Sequence, residues 1–364
     1  MTFSRKAGFA AAAVAGLVLL SACGSDAGTS SSSAAGGQIA GADCASGSIK
    51  ASGSTAQLNA MTEWINGYQT ACTGATVDYQ GVGSGAGITD FINGQTAFAG
   101  SDSAIQGDDQ TNADKRCSTG SAINIPMVGG AIVAAYNVSG VSKLTLTPEI
   151  MAGIWSNKIT KWNDPKLVAA NPGVTLPDAT IAQFHRSDSS GTTDNWTKFL
   201  DATAPSVWTY GHAKDWSAPG GQGSKGNDGV GASLASTPNS IGYVELSFAQ
   251  EKKLNTAAID NGAGPVDGTS ENAAKTLAAA QVTGSGNNIV LNIDYKSTAG
   301  YPAVLVTYEI TCEKGLSSDA LPLTKAFLTY TASDEAQAKL TDAGYVPITG
   351  DLLTKVRTAI SAIS

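Results

Sequence analysis

The sequence predicts an α/β fold in two lobes joined by a pair of crossing strands. Strand, small polar turn and helix follow one another twice within about forty residues, which is the unit of an α/β sheet. At 364 residues, with 42% hydrophobic and 14% charged side chains, the chain has length and apolar content for two domains. Two β-rich apolar runs, residues 123–137 and 301–312, resemble each other in length and composition. Side by side they would form a hinge where the chain leaves the first lobe and returns to it.

The first residues bound the compartment. Arg5 and Lys6 form a positive start, residues 8–20 an apolar stretch too short to span a bilayer comfortably, and Leu20-Ser21-Ala22-Cys23 a small-residue cleavage site. This pattern resembles a bacterial lipoprotein signal: residues 1–22 would be removed and Cys23 would carry the lipid. Residues 23–47, rich in Ser and Gly, are expected to be a flexible tether. The formal charge is -8, and loss of Arg5 and Lys6 makes the mature chain more acidic still. Such a balance excludes nucleic acid as a partner, because phosphate backbones are held mainly by clustered Lys and Arg. Cys44, Cys72, Cys117 and Cys312 remain, an even number in an exported chain and at no zinc-ligand spacing. Of the three connectivities, Cys44 with Cys72 and Cys117 with Cys312 is favoured. The first would join the opening strand to the end of the first helix, and the second would tie the returning run to the first lobe.

Along the chain, residues 48–51 read as a strand leading into Gly53-Ser54-Thr55. Leu58, Met61, Ile65 and Tyr68 recur at helical spacing, with Gly67 and Gly74 marking the helix end. Residues 76–80 alternate as a strand into Gly81-Val82-Gly83-Ser84-Gly85-Ala86-Gly87, after which Ile88, Phe91 and Ile92 mark a helix. Residues 96–100 form a strand delivering Ser101-Asp102. Residues 123–137 form a long strand, bent at Pro126 and Gly129-Gly130, that crosses to the second lobe. Helices with loops follow over residues 144–172, then a strand over 179–184 and a helix carrying Trp196, Phe199 and Leu200. Residues 211–231 read as a polar loop or lid. Apolar residues 241–248, an alanine-rich helix over 271–280, the returning run and three tail helices complete the chain.

Four clusters share one design: Gly53-Ser54-Thr55, Gly83-Ser84-Gly85, Ser101-Asp102, and Arg186 to Ser190-Gly191-Thr192. At least three end a strand and begin a helix, and such ends lie on one edge of an open α/β sheet. Unpaired N–H groups and the helix dipole favour an anion there, hydroxyls add donors, and Arg186 adds a forked cation. Arg186 is the only arginine between Arg116 and Arg357. Judged singly, each Ser or Thr is an ordinary N-cap and Asp102 an ordinary helix cap; Asp188 either fixes the Arg186 plane or sits in a solvated turn. As part of an anion site, Asp102 repels full charge yet accepts a hydrogen bond from a ligand that still carries a proton. Hydrogen phosphate has one at neutral pH and sulfate does not, so a carboxylate there discriminates.

Enzyme patterns fare worse. Neither Ser84 nor Ser190 lies in G-x-S-x-G, and no G-x-x-x-x-G-K-[ST] is present. Gly81, Gly83 and Ala86 fit only the looser dinucleotide pattern, with Asp102 about twenty residues on. His185, next to Arg186, reads as structural or as a rim residue, and His212 lies in the polar loop. No cluster has metal-ligand spacing, so neither metal nor cofactor is expected.

With these residues in view, the chain resembles the PstS-type phosphate-binding lipoproteins of phosphate ABC transporters, type II periplasmic binding proteins. The resemblance runs from about residue 48 to about residue 347. It rests on the clusters above with Tyr79-Gln80, on Ile159-Thr160-Lys161-Trp162-Asn163-Asp164-Pro165, and on Gly226-Asn227-Asp228-Gly229-Val230. It implies two α/β lobes, each a central mixed sheet flanked by helices, with a two-strand hinge: residues 48–129 and 301–364 in lobe I, 130–300 in lobe II. Ser54, Thr55, Ala56, Ser84 and Asp102 would bind inorganic phosphate from lobe I. Arg186, Ser190, Gly191 and Thr192 would bind it from lobe II, with Asp188 orienting Arg186. Ala56 departs from relatives with an aromatic there; its backbone N–H remains, but the cleft wall differs. The resemblance further implies a non-enzymatic monomer, lipid-anchored on the extracytoplasmic face of the membrane. It would serve membrane permease subunits powered by a separate ATPase. Another tetrahedral oxyanion such as sulfate or molybdate is the alternative ligand, and a secreted phosphatase using Ser84 or Ser190 the alternative class.

Overall fold

The computed structural model describes residues 38–364; the expected signal segment, Cys23 and residues 24–37 lie outside them. In chain order the first elements are β1 (Gln38–Ile39), β2 (Ala42–Asp43), β3 (Gly47–Gly53), α1 (Leu58–Ala71), β4 (Ala75–Gly81), α2 (Ser84–Ile92), β5 (Phe98–Ser101), α3 (Gly107–Cys117) and β6 (Ala122–Asn137). There follow β7 (Thr145–Leu146), α4 (Pro148–Trp155), α5 (Pro165–Ala170), β8 (Ala182–Arg186), α6 (Gly191–Thr203), β9 (Gln222–Ser224), α7 (Gly226–Ser236), β10 (Ser240–Glu245) and α8 (Leu246–Glu251). The remainder is β11 (Asn255–Thr256), β12 (Ala258–Asp260), β13 (Pro265–Val266), α9 (Ser270–Ala278), β14 (Gln281–Val282), β15 (Leu291–Asn292), β16 (Val304–Cys312), α10 (Leu321–Thr331), α11 (Asp334–Ala338), β17 (Val346–Pro347) and α12 (Gly350–Ser361).

One mixed sheet runs in the order β4-β3-β5-β16-β6-β10-β8-β9. β3 pairs in parallel with β4 and β5, so their C-terminal ends share an edge. In the other half β8 pairs in parallel with β9 and β10, giving a second such edge. β6 belongs to both halves: residues 122–131 pair with β16 and residues 132–137 with β10. The expected bend is a register shift, with Thr307 opposite Val128 and Tyr308 opposite Pro126. Pro126 has no N–H to give the ladder, which makes it a natural place for the pairing to skip a residue.

The interior divides as the sheet does. One apolar cluster holds Trp64, Phe98, Ile125, Ile310 and Phe327, and the other Tyr136, Trp155, Trp196, Ile241 and Val304. Ile289 packs with the first cluster although it lies inside the span assigned to lobe II, so residues around 281–293 leave that lobe and lie against the other. Cys44 is bonded to Cys72 and Cys117 to Cys312, the pairing favoured from the sequence.

Four local expectations are corrected. Residues 38–43, expected in the tether, form the β1–β2 hairpin, and Ala42 is 1% exposed in the first cluster. Gly67 does not end α1 but sits inside it: a Cβ there would lie 2.2 Å from Tyr330 Oη, so the glycine admits a close neighbour. Residues 222–231 are not open loop but β9 and the start of α7. Asp102, judged singly an ordinary helix cap, caps no helix, since α3 starts only at Gly107.

Candidate functional site

The parallel edge of β3, β4 and β5 carries the first half of the site. Ser54, just past β3, donates its N–H to Gly100 O (2.7 Å). Its Oγ donates to Asp102 Oδ1 and accepts the Ala56 N–H at 3.0 Å. Thr307 Oγ1, from β16, donates to the same carboxyl oxygen at 2.8 Å. Ser84 opens α2, and its Oγ accepts the Asp102 N–H at 3.2 Å. Asp102 is thus no cap: 3% exposed, its carboxylate is held at the strand end by the Ser54 and Thr307 hydroxyls, which both donate to it, while Ser84 takes its N–H. A group so surrounded is an acceptor, as a carboxylate is. Ala56 is fully buried against the second apolar cluster, its carbonyl taking the Tyr345 hydroxyl at 2.7 Å, so this part of the cleft wall is closed by packing rather than by an aromatic ring at position 56.

Arg186 ends β8 and is 1% exposed. Its Nε donates to Asp188 Oδ1 at 2.8 Å, its Nη2 to Asp188 Oδ2, and its Nη1 to Thr192 Oγ1 at 3.3 Å. Asp188 also accepts the Gly226 N–H from the start of α7 (3.0 Å), so it fixes the guanidinium plane and is not a solvated turn residue. Ser190 caps α6, with Oγ accepting the Thr193 N–H at 3.2 Å. Gly191 and Thr192 are the first residues of α6, where N–H groups have no intrahelical partner.

The two halves touch directly. Thr192 Oγ1 donates to Asp102 Oδ2 at 3.1 Å, and Asn227, at the start of α7, donates its N–H and Nδ2 to Thr55 Oγ1 at 3.1 and 3.0 Å. Gly191 lies so near that a Cβ on it would be 2.6 Å from both Asp102 Cβ and Ser84 Oγ. The cleft is closed, and nine residues predicted from the sequence (Ser54, Thr55, Ser84, Asp102, Arg186, Asp188, Ser190, Gly191 and Thr192) converge on it.

The hydrogen-bond ledger shows what the site can accept. Thr55, Ser84 and Ser190 each receive a hydrogen bond from a protein N–H, which leaves the hydroxyl proton of each to donate elsewhere. Of the five guanidinium N–H bonds, three are spent on Asp188 and Thr192, leaving two. These unspent donors and the start of α6 lie in the same closed cleft as the buried Asp102 carboxylate. The arrangement suits a tetrahedral anion with many acceptor oxygens and one proton.

Burial raises Asp102 above the usual carboxylate range, opposed by the Ser54 and Thr307 hydroxyls, the Arg186 charge and Thr192. Burial alone would raise Asp188, but Arg186 and the Gly226 N–H hold it below its ordinary value. His185 is pushed down by burial, stacks on Trp216 and binds Arg186 O through Nδ1, a structural role. Among the described residues neither histidine is hydrogen-bonded to a serine.

Two further buried carboxyls flank the site. Burial pushes Glu245 and Glu309 up to about 8, offset in Glu245 by Ser247 and in Glu309 by Gln57. Neither oxygen of Glu309 has a well-formed hydrogen bond. Between the ordinary carboxyl range and about pH 8 the folded state therefore holds protons that the unfolded chain has released, so stability falls as pH rises through that window. Urea unfolding from pH 5 to 8 is expected to show this decline. Glu309→Gln should flatten it by up to about 1.4 kcal/mol per pH unit; an unchanged slope would contradict a protonated Glu309.

The sequence left several participants unassigned. Asn227 was visible only inside a motif, yet it is fully buried and bonds Thr55, Thr192 (3.2 Å) and the Glu245 N–H (2.9 Å). Tyr243 Oη accepts the Arg186 N–H at 3.1 Å, and Asn195 Nδ2 donates to Asp102 O at 2.7 Å. A cavity of about 670 Å³ lies beside Asp102, between Ser103 and Asp109 on one wall and Asn195 and Lys198 on the other.

Fold and site together define a two-lobed binding protein with a closed, donor-lined cleft. The family model for the PBP superfamily domain matches residues 38–335. Phosphate-binding protein PstS 3 of Mycobacterium tuberculosis is 42% identical over 358 residues, 96% of each chain, and PstS 2 of the same organism 40% identical over the full length of both. The solved phosphate-binding protein of Stenotrophomonas maltophilia shares the fold, with a TM-score of 0.68 at 19% identity over 86% of this chain and 94% of that one. The chain belongs to the PstS family of the PBP superfamily.

Proposed function

We propose that this protein binds inorganic phosphate in the closed cleft and delivers it to an ABC-type phosphate importer. The carrying observation is that three unspent hydroxyl protons, two unspent guanidinium N–H bonds and a helix start share one closed cleft with the buried Asp102 carboxylate. Asp102 takes the ligand's proton in a hydrogen bond, and sulfate, which has none at neutral pH, meets a like charge instead. The relatives' names and the continuous similarity to them support the same ligand. In this reading the lobes are residues 48–129 with 301–364, and 130–300, save that residues 38–43 and about 281–293 pack with the first, and binding closes them because the anion touches both. The protein acts as a monomeric, non-enzymatic receptor, exported and held by a lipid on Cys23. It docks on permease subunits whose ATPase is a separate chain. Among the described residues no helix is long and apolar enough to cross a membrane.

Calorimetric titration with phosphate and with sulfate tests the assignment. Phosphate is expected to bind tightly and sulfate at least about a hundredfold more weakly; equal affinities, or none for phosphate, would overturn it. In Asp102→Asn the preference for phosphate over sulfate is expected to shrink by at least about tenfold. An unchanged ratio would remove Asp102 from the selectivity mechanism.

A further inference from the structure

Every residue assigned above faces the anion or holds one that does, but the closed cleft is also fastened by a side chain that lies away from it. Asn195 is on α6, one turn beyond Gly191, and is 3% exposed. Its Nδ2 donates to Asp102 O at 2.7 Å and to Gly191 O at 2.9 Å, and its Oδ1 accepts the Tyr295 hydroxyl at 2.6 Å. One amide thus joins the backbone of the acceptor residue, the helix start that faces the anion, and a third segment.

Tyr295 itself sits on the side of α6: it packs against the second apolar cluster and its carbonyl accepts Asn261 Nδ2 at 3.3 Å, whereas the residues just before it cross to the other half. Residues 288–291 are tied to β6 and β16: Ile289 N–H donates to Asn124 O at 2.9 Å, Asn288 Oδ1 accepts the Asn124 N–H at 2.9 Å, and Leu291 N–H donates to Tyr308 Oη at 3.1 Å. Tyr295 lies four residues further on. Of the bonds of Asn195, the one to Asp102 O therefore runs from α6 across the cleft, while Tyr295 orients the amide from the side of α6. Opening the cleft breaks the Asp102 bond, whereas the bonds to Gly191 O and to Tyr295 stay on one side. The adjacent Asp194 adds a bond across the cleft from Ser103 Oγ and is itself held by Lys198 and His212.

We propose that Asn195, clamped by Tyr295, is a positioning residue that latches the closed cleft and sets how slowly the ligand leaves. It acts through Asp102, fixing the peptide that carries the acceptor carboxylate against the start of α6. Because its bond to Asp102 forms only on closure, it governs release rather than encounter. The inference rests on the phosphate assignment for its ligand, but the latch itself is a property of the closed protein.

The test compares wild type, Asn195→Ala, Asn195→Asp and Tyr295→Phe by stopped-flow phosphate binding, thermal melting and small-angle scattering with and without phosphate. Asn195→Asp keeps the shape but places a carboxylate against two carbonyl oxygens, so a residue that merely fills space would tolerate it. Dissociation is expected to speed by about 10- to 100-fold in Asn195→Ala and at least as much in Asn195→Asp, and by roughly 3- to 10-fold in Tyr295→Phe. Association rates should stay within about threefold, and both Asn195 variants should shift the scattering toward the open form, also without ligand. Dissociation unchanged within about twofold in both Asn195 variants, or a loss carried by association, would overturn the latch. Wild type that fails to bind phosphate would overturn the ligand assignment alone; the ligand-free scattering would still decide the latch, since an Asn195→Asp protein as closed as wild type refutes it.

Discussion

Arg186→Ala is expected to weaken phosphate binding by about 30-fold to several thousand-fold, the cost of removing one partner from a buried, hydrogen-bonded charge pair. Arg186 is the one cation built into the cleft of an acidic chain, and two of its N–H bonds remain for the ligand. The substitution also strands Asp188, whose two oxygens lose the guanidinium while one still takes the Gly226 N–H. An uncompensated carboxylate there turns from an organiser into a repellent for the anion. The folded protein should lose about 3–5 kcal/mol as well, the usual result of breaking a buried pair from one side. Arg186→Lys restores the charge but not the fork, and belongs between the two. Calorimetry with urea unfolding separates these effects; binding within about threefold of wild type in Arg186→Ala would contradict the role of the arginine.

Gly191→Ala is expected to lower phosphate affinity on the order of 10²- to 10³-fold with little effect on folding. Alanine favours the start of a helix over glycine, so the open form gains rather than loses. Closure is another matter. The added Cβ would sit 2.6 Å from Asp102 Cβ and Ser84 Oγ and 2.8 Å from Asp102 N, and the backbone nitrogen cannot step aside. Keeping the lobes about 1 Å further apart stretches the Thr192 bond to Asp102 and the Asn227 bonds to Thr55 beyond useful length. Melting temperature and calorimetry on one preparation check both halves; an affinity within a few-fold of wild type would show that closure tolerates the methyl group.

The parts of the fold and site that are legible in the sequence are those with local signs. Small hydroxyl residues between a strand and a helix mark Thr55, Ser84 and Ser190, and a lone arginine two residues before an aspartate marks the buried pair. The crossing strands show themselves as long apolar runs, because β6 and β16 are buried along almost their whole lengths. What stays hidden depends on partners distant in the chain. Thr307 lies in an apolar run like its neighbours, and only the fold brings it to Asp102, 205 residues away. Gly67 looks like a helix end, and only Tyr330 explains why glycine sits inside α1. The polar, glycine-rich segment before residue 231 reads as a loop because the start of α7 is chosen for its contacts to Asp188 and Thr55, not for helix propensity.

A crystal structure of the protein grown with phosphate tests the central claim most directly, that one anion is shared between the two halves of the cleft. The account predicts a single tetrahedral anion within hydrogen-bond distance of Arg186 and the start of α6 on one side, and of Thr55, Ser84 and Asp102 on the other. An anion held by one half only, or bound away from Asp102, would contradict it.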